Sequence, residues 1–259
     1  MKAKAAFLNF QVDHMTLLVE PSLYSVAYAV FRIVLGVGAA DLIYEKRRAL
    51  AGGGEVSMTF AARVGRRVRG SQALDNTIIA VVQPSEPSGS PSHVRRMLAE
   101  HSAAAHWQHI ALRTPDLLAF HAHASARGVN FITPILRDAE EDLIQVFSGE
   151  WFPPGGKPSA LFFEFVQRDP SASLLRKLKE RNRQSWFRDA VFLGLYGEKE
   201  KEYQSGRVVP FIDPALFNRL RALLGAKQVW EISEGDLRAA EKLMLDYAAK
   251  RPAAKSRRA

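Results

Sequence analysis

Two histidines occupy equivalent positions in a motif that occurs twice in this chain. His14, in residues 12–17, and His109, in residues 107–112, are each followed by a proline, an apolar segment and a glycine. Each copy predicts a short strand, a turn, an amphipathic helix and a glycine that ends the helix. A duplicated strand–helix unit with a histidine at the same place predicts two halves folded around a shared metal ion.

A third metal ligand is predicted on a later strand. Glu164 lies within the apolar segment 161–166, between two phenylalanines. Because alternate side chains of a strand share a face, this carboxylate would lie on a largely buried face, which is costly unless it is paired or binds a metal. Two histidines and one carboxylate are the ligand set of non-haem Fe(II) centres that activate oxygen. The sequence therefore predicts an Fe(II) site formed by His14, His109 and Glu164.

The lining of this site follows from the same alternation. Gln145 and Phe147 share one face of the strand that begins at Leu143, and Phe162 shares a face with Glu164. If these faces point inward together with the histidines, Gln145, Phe147 and Phe162 line the metal cavity. A largely apolar cavity with a few polar groups is typical of small-molecule sites.

The elements that must position these residues indicate an α+β protein with two βαβββ modules and a helical C-terminal extension. Strand and helix periods follow the same order on both sides of a segment rich in proline, glycine and serine. The predicted units are a domain at 8–168, with modules 8–83 and 106–168 and a linker at 84–105, then a helical region at 169–250 and a basic disordered tail at 251–259.

Two local features accompany this organisation. Thr114 is predicted to cap the helix of the second module, because its hydroxyl stands directly before a proline that suits the first helical position. Three histidines in or beside the linker are expected to be exposed and are not assigned to the metal site; they are His93, His101 and His106.

Composition narrows the class of protein. Of the 259 residues, 47% are hydrophobic and 24% are charged, as in ordinary soluble domains. The absence of cysteine excludes disulfides, thiolate metal sites and cysteine nucleophiles. The N-terminus has no signal-peptide pattern, and the most apolar stretch, 24–44, contains charged residues and glycines. We therefore expect a cytoplasmic protein with no membrane span.

The net positive charge is concentrated in the C-terminal third. Residues 168–259 carry +8 of the net charge of +9, and residues 1–167 carry +1. No nucleic-acid-binding motif accompanies this excess, so it indicates a solvated helical face and a basic tail. We expect neither nucleic acid nor a membrane as a partner.

Three motifs resemble the catalytic half of 4-hydroxyphenylpyruvate dioxygenases, which belong to the vicinal oxygen chelate superfamily. They are Gln-His-Ile-Ala-Leu at 108–112, Leu-Ile-Gln-Val-Phe at 143–147 and Leu-Phe-Phe-Glu-Phe-Val-Gln-Arg at 161–168. Val-Asp-His at 12–14 also resembles the start of that half, so the resemblance covers roughly residues 10–168. It implies a vicinal oxygen chelate fold, Fe(II) as the cofactor at the three ligands, and a 2-oxo acid and O2 as substrates.

The resemblance also implies roles for residues around the metal. By position, Gln108 and Gln145 are polar pocket residues, Phe147 and Phe162 shape the cavity, and Phe187 is an aromatic lid on a C-terminal helix. Two features of these dioxygenases have no counterpart in these 259 residues: the non-catalytic N-terminal half of similar fold, and a long insertion before the Leu-Ile-Gln-Val-Phe strand at 143–147. These departures leave the identity of the substrate open.

Two alternative functions remain open on the sequence. An extradiol-type ring-cleaving dioxygenase would use the same three ligands on a catecholic substrate. A binding protein with this fold would have lost catalysis, and it would hold no stoichiometric iron or would hold iron without consuming O2 with any keto acid. For either function, a homodimer that shields the edges of the sheet is a further expectation.

Overall fold

The computed structural model describes residues 5–50, 53–65, 77–138, 142–181 and 191–251. The first module consists of β1 (Gln11–Val19), α1 (Pro21–Ile33), β2 (Leu42–Ala49), β3 (Glu55–Val64) and β4 (Thr77–Val82). After α2 (His93–Glu100), the second module consists of β5 (Ala105–Arg113), α3 (Leu117–Ser125), β6 (Leu136–Asp138), β7 (Leu143–Glu150) and β8 (Phe162–Arg168). The C-terminal helices are α4 (Ala172–Arg181), α5 (Val191–Ser205), α6 (Pro214–Leu224) and α7 (Glu234–Lys250).

The eight strands form one mixed sheet in which the two modules repeat the same arrangement. The strand order is β2-β3-β4-β1-β5-β8-β7-β6. In each module the first strand pairs in parallel with the last, as β1 does with β4 and β5 with β8. The two first strands, β1 and β5, pair antiparallel at the centre and join the modules. The prediction of paired βαβββ modules, the arrangement of the vicinal oxygen chelate fold, with a helical extension is therefore confirmed.

Strand alternation separates two faces of this sheet. On one face, α1 packs against Phe60 and α3 packs against Phe165, so aromatic side chains from the strands fill the space under both helices. On the other face, α2 and α5 pack over Leu18 and Val82. The side chains that alternate with Phe60 and Phe165 therefore point away from α1 and α3, and this second face carries the cavity described below.

The C-terminal region is attached to the second module rather than standing apart from it. The backbone of Glu150 exchanges hydrogen bonds with Val209 and Phe211, and the ring of Phe211 stacks on Trp151. Gly128 has a φ of +81°, and a Cβ at this position would lie 2.5 Å from the Leu216 side chain. A glycine therefore suits both the left-handed turn after α3 and the close approach of α6.

Three local expectations are wrong. Asp116, not Thr114, caps α3 by accepting a hydrogen bond from a backbone N–H, while the buried Thr114 hydroxyl donates to the carbonyl oxygen of Phe7. The sequence also predicts a strand at 131–136, but this strand runs over Leu136–Asp138. His93 is 2% exposed, because it lies on the same face of α2 as the side chains that pack against the sheet.

One further finding concerns membranes. None of the helices within the described residues is long and apolar enough to cross a bilayer.

Candidate metal centre

Three adjacent central strands bring the predicted ligands together. His14 lies on β1, His109 on β5 and Glu164 on β8. His14 and Glu164 both pair in register with Ala111, so His14, Ala111 and Glu164 form one row across the sheet. Because Ala111 carries only a methyl group, the imidazole and the carboxylate on either side of it have room to approach each other.

The distances between the three donor atoms suit one face of a coordination sphere. Oε2 of Glu164 lies 3.2 Å from Nε2 of His14 and 3.2 Å from Nε2 of His109. The two Nε2 atoms are 3.3 Å apart. Ligand atoms at about 2.1 Å from a central ion lie about 3.0 Å apart in an octahedron and about 3.4 Å apart in a tetrahedron. The three distances between the donor atoms, 3.2, 3.2 and 3.3 Å, fall between these two values.

The second nitrogen of each imidazole is held by a polar neighbour. Oδ1 of Asp13 lies 3.1 Å from Nδ1 of His14, and Oε1 of Gln108 lies 3.1 Å from Nδ1 of His109. The guanidinium of Arg168 donates two hydrogen bonds to Asp13, of 2.6 and 2.7 Å. When Nδ1 donates to such a neighbour, the Nε2 lone pair is directed at the metal, as in many metal sites with oriented histidines.

The charges of the centre are strongly coupled. Burial would lower the pKa of His14, but the charge of Glu164 and the hydrogen bond to Asp13 raise it to about 10. Burial would raise the pKa of Glu164, but the charge of His14 and hydrogen bonds from both histidines hold it at about 2. Burial lowers the pKa of His109. His14 thus carries a proton beside an ionised Glu164, and a metal ion that binds Nε2 must displace that proton.

The residues present fit a divalent cation. Glu164 is 2% exposed, and its Oε1 has no hydrogen-bond partner among the described residues. An ionised carboxylate with an unsatisfied buried oxygen is costly, and a bound cation would remove that cost. Two imidazoles and a carboxylate suit Fe(II) and also other first-row divalent metals. The assignment of the three residues to a metal stays a prediction.

A cavity of about 420 Å³ adjoins the three donor atoms. Gln108, Gln145 and Phe147 line it, as the sequence predicts. Phe162 instead lies behind His109, with its ring stacked on the imidazole at a centroid distance of 5.2 Å. Phe187 lies outside the described residues. On the described part of α5, the cavity-lining side chain is Leu195.

Sequence reasoning missed two residues that face the cavity. Oγ1 of Thr16 lies 3.0 Å from Nε2 of His109. The two-residue spacing from His14 on the same strand was a usable signal for it. His93 lines the cavity from α2, and burial lowers its pKa to about 3, so its imidazole is neutral. No sequence signal marks His93, because its burial depends on where α2 docks.

A fully buried ion pair lies behind the centre, and it too was missed. Nζ of Lys199 on α5 donates hydrogen bonds to Glu150, at 2.6 Å, and to Glu202, at 2.9 Å. The same ammonium lies 4.8 Å from the ring centroid of Phe162, which stacks on His109. The pair therefore connects α5 to the residue that supports the second imidazole.

Comparisons with known proteins give only distant matches. No family model matches the chain, and no curated protein matches it. A mutant of 4-hydroxymandelate synthase from Streptomyces coelicolor is similar over 68% of this chain and 56% of that one, with 16% identity and a TM-score of 0.45. Methylmalonyl-CoA epimerase from Mycobacterium tuberculosis is similar over 68% of this chain and 97% of that one, with 19% identity and a TM-score of 0.41.

The chain spans little more than half the length of the synthase. At these identities and TM-scores the likeness carries no argument about this chain, and any function must be argued from the site.

Proposed function

We propose that this protein is an Fe(II)-dependent oxygenase that acts on a 2-oxo acid with O2. The observation that carries the proposal is a face of three oriented donor atoms, from His14, His109 and Glu164, beside a cavity of about 420 Å³. Three ligands on one face leave the remaining positions of an octahedral ion for substrate and oxygen.

Charge supports an anionic substrate at this centre. The charge of Asp13 is balanced by Arg168, which donates two hydrogen bonds to it, so Glu164 is the remaining carboxylate among the candidate ligands and their direct partners. A dication held by neutral imidazoles and one carboxylate keeps a net charge of about +1, which attracts a carboxylate. Iron, when bound, would supply the activation of oxygen.

The chain's own residues shape the space around the substrate. Leu143, Phe147 and Leu195 form apolar walls that exclude water from the reacting groups. The amide of Gln145 is 7% exposed and reaches the same cavity, where it can both donate and accept a hydrogen bond. This lining orients an organic acid whose body is largely apolar.

The test is anaerobic reconstitution with Fe(II), followed by titration with a panel of 2-oxo acids. We expect a visible absorption band that needs both iron and the keto acid, and that decays when O2 is admitted while CO2 is released. Glu164→Gln keeps the shape of the side chain but removes its charge, and we expect it to lose most of the iron affinity and the band. Glu45→Gln, an exposed carboxylate on β2, is the matched control.

Three results would contradict the proposal. Unchanged iron affinity and turnover in Glu164→Gln would overturn the ligand assignment. Iron binding with no band for any keto acid, together with cleavage of a catechol ring without CO2, would favour an extradiol-type dioxygenase. Failure to bind stoichiometric iron would favour a non-catalytic binding protein.

A further inference from the structure

The metal cavity continues across the first module, away from Gln145 and Phe147. Its wall there is formed by inward side chains of β2, β3 and β4. Arg63 on β3 pairs in register with Ile78 on β4, and Ile78 pairs with His14. Arg63 is therefore two strands from a metal ligand, about 10 Å between backbones at the usual strand spacing.

Small side chains keep this half of the cavity open. Ala61, Ala80 and Thr16 form the next row in register and lead to His109. Tyr44 on β2 pairs with Ala61, so its ring stands at the far end of this row. The methyl groups between Tyr44 and the metal leave room for an elongated ligand to extend from the metal toward β2.

Two cationic side chains line the far end of this half. Lys46 and Arg63 line it, and Nζ of Lys46 lies 5.2 Å from the ring centroid of Tyr44. The described residues that line this half include no carboxylate; they are Ile43, Tyr44, Lys46, Thr59, Arg63, Ile78, Ala80 and Val82. Asp41 approaches Arg63 with a nitrogen–oxygen distance of 4.0 Å but does not line the cavity.

We propose that this half of the cavity binds a second anionic group of the substrate, a carboxylate or a phosphate. The inference rests on the proposed function, and it makes the substrate a 2-oxo acid that chelates the metal at one end and is anionic at the other. Arg63 can pair with such a group through two N–H donors, and Lys46 can add a point charge and the Tyr44 hydroxyl a further donor. Arg63 is 41% exposed, which places the anionic end near the cavity mouth.

The test compares ligand pairs on the full-length, Fe(II)-loaded protein under anaerobic conditions. The two ligands of a pair have the same chain length, but one ends in a carboxylate and the other in a methyl group. A third ligand of this length ends in a phosphate ester. Calorimetry measures each Kd. We expect the anionic ends to bind at least about tenfold more tightly, because hydrogen bonds to charged groups contribute roughly that factor. Comparing the carboxylate and phosphate ligands identifies the preferred anion.

Single variants test which residues cause the preference for the anionic end. Lys46→Met and Arg63→Met should each remove most of the preference for the anionic end by weakening the binding of the anionic ligands, without weakening the binding of the methyl-ended ligand. Arg47→Met is the matched control, since Arg47 neighbours Lys46 on β2 but is exposed and pairs with Glu45. Thermal melts establish that the variants are folded.

The outcomes separate this inference from the proposed function. Equal binding of both members of each pair, or a preference that survives both variants, would overturn the inference and leave the 2-oxo acid oxygenase standing. Failure of every 2-oxo acid to bind the iron-loaded protein would overturn both.

Discussion

At the scale of single residues, the neighbours of the three candidate metal ligands matter as much as the candidate ligands themselves. Asp13 lies 3.1 Å from Nδ1 of His14 and is itself held by two hydrogen bonds from Arg168. This chain of contacts fixes the ring so that Nε2 faces Glu164. A histidine without such a neighbour would sample other orientations and would coordinate less well.

We predict that Asp13→Ala lowers the affinity for Fe(II) by about 10- to 100-fold, because the His14 ring loses its orienting partner. Arg168→Met should have a smaller effect in the same direction. Asp13→Asn, which keeps an oxygen acceptor, should restore part of the loss. Anaerobic iron titration measures these affinities, with Arg113→Met as the control arginine at the cavity. An affinity for iron that Asp13→Ala leaves intact would contradict the positioning role.

A second prediction concerns His93 and acid stability. Burial lowers the pKa of His93 to about 3, whereas a histidine in the unfolded chain titrates near 6.5. Between these two values the unfolded state binds a proton that the folded state does not. The free energy of unfolding therefore falls as the pH falls from about 6.5 toward 3.

We expect His93→Gln to flatten this dependence. Urea denaturation near pH 7.5 measures how much the free energy of unfolding falls because packing is lost in the variant. When the pH is then lowered to about 4, the free energy of unfolding should fall less in the variant than in the parent. Parallel pH profiles in the two proteins would show that His93 does not carry the effect.

At the scale of elements, α5 is attached to the sheet by a buried charge pair. The side chains of Lys199 and Glu150 are both fully buried, and the Tyr203 hydroxyl donates a further hydrogen bond to Glu150. Leu195, one turn earlier on α5, lines the metal cavity. The pair therefore places a cavity wall as well as stabilising the fold.

Removing one partner of this pair should be costly. We predict that Lys199→Met lowers the free energy of unfolding by about 3–5 kcal/mol, because it leaves Glu150 buried without its cation. The double variant Lys199→Met, Glu150→Gln should recover much of this loss. Lys201→Met on the exposed face of α5 is the control and should change stability by less than about 0.5 kcal/mol. Urea denaturation measures all three, and a single variant as stable as the control would contradict the argument.

Strand irregularity also shapes the site at this scale. The pairing of β1 with β5 shifts register between Val12 and His14 and again between Thr16 and Leu17. Each shift changes which side chains share a face, and such bulges are common beside functional sites. His14 and Thr16 lie between the two shifts, and both face the cavity.

At the scale of the whole molecule, the candidate centre lies at the seam between the modules. The first module contributes His14, and the second contributes His109 and Glu164. A bound ion would therefore link the two modules across the β1–β5 pairing. The two halves of the cavity differ in chemistry: β2 and β3 of the first module contribute the cations Lys46 and Arg63, and the second module contributes apolar side chains such as Phe147 beside polar and charged ones such as Gln145 and Asp138.

The edges of the sheet are relevant to assembly. β2 forms one edge and the three-residue β6 forms the other. Outward charges on β2, from Glu45 and Arg47, discourage pairing with another strand. The homodimer and the cytoplasmic location stay predictions.

The sequence by itself determined the duplicated module order and which residues alternate on each strand, and it singled out the three candidate ligands. These follow from local periods, in which alternate strand residues share a face and every fourth helix residue returns to the same side. The two motif histidines could be assigned to one site because each copy of the motif repeats the same local pattern, and Glu164 because a carboxylate on an apolar strand face needs a partner.

Only the tertiary structure decided which side chains from distant segments meet. The burial of His93, the Lys199–Glu150 pair and the position of Phe162 behind His109 depend on how α2 and α5 dock. The approach of Arg63 to the metal ligands depends on the register of three strands. Such contacts arise from long-range packing and strand pairing. Because the energies of these interactions are shared among many residues, they produce no periodic pattern in the sequence.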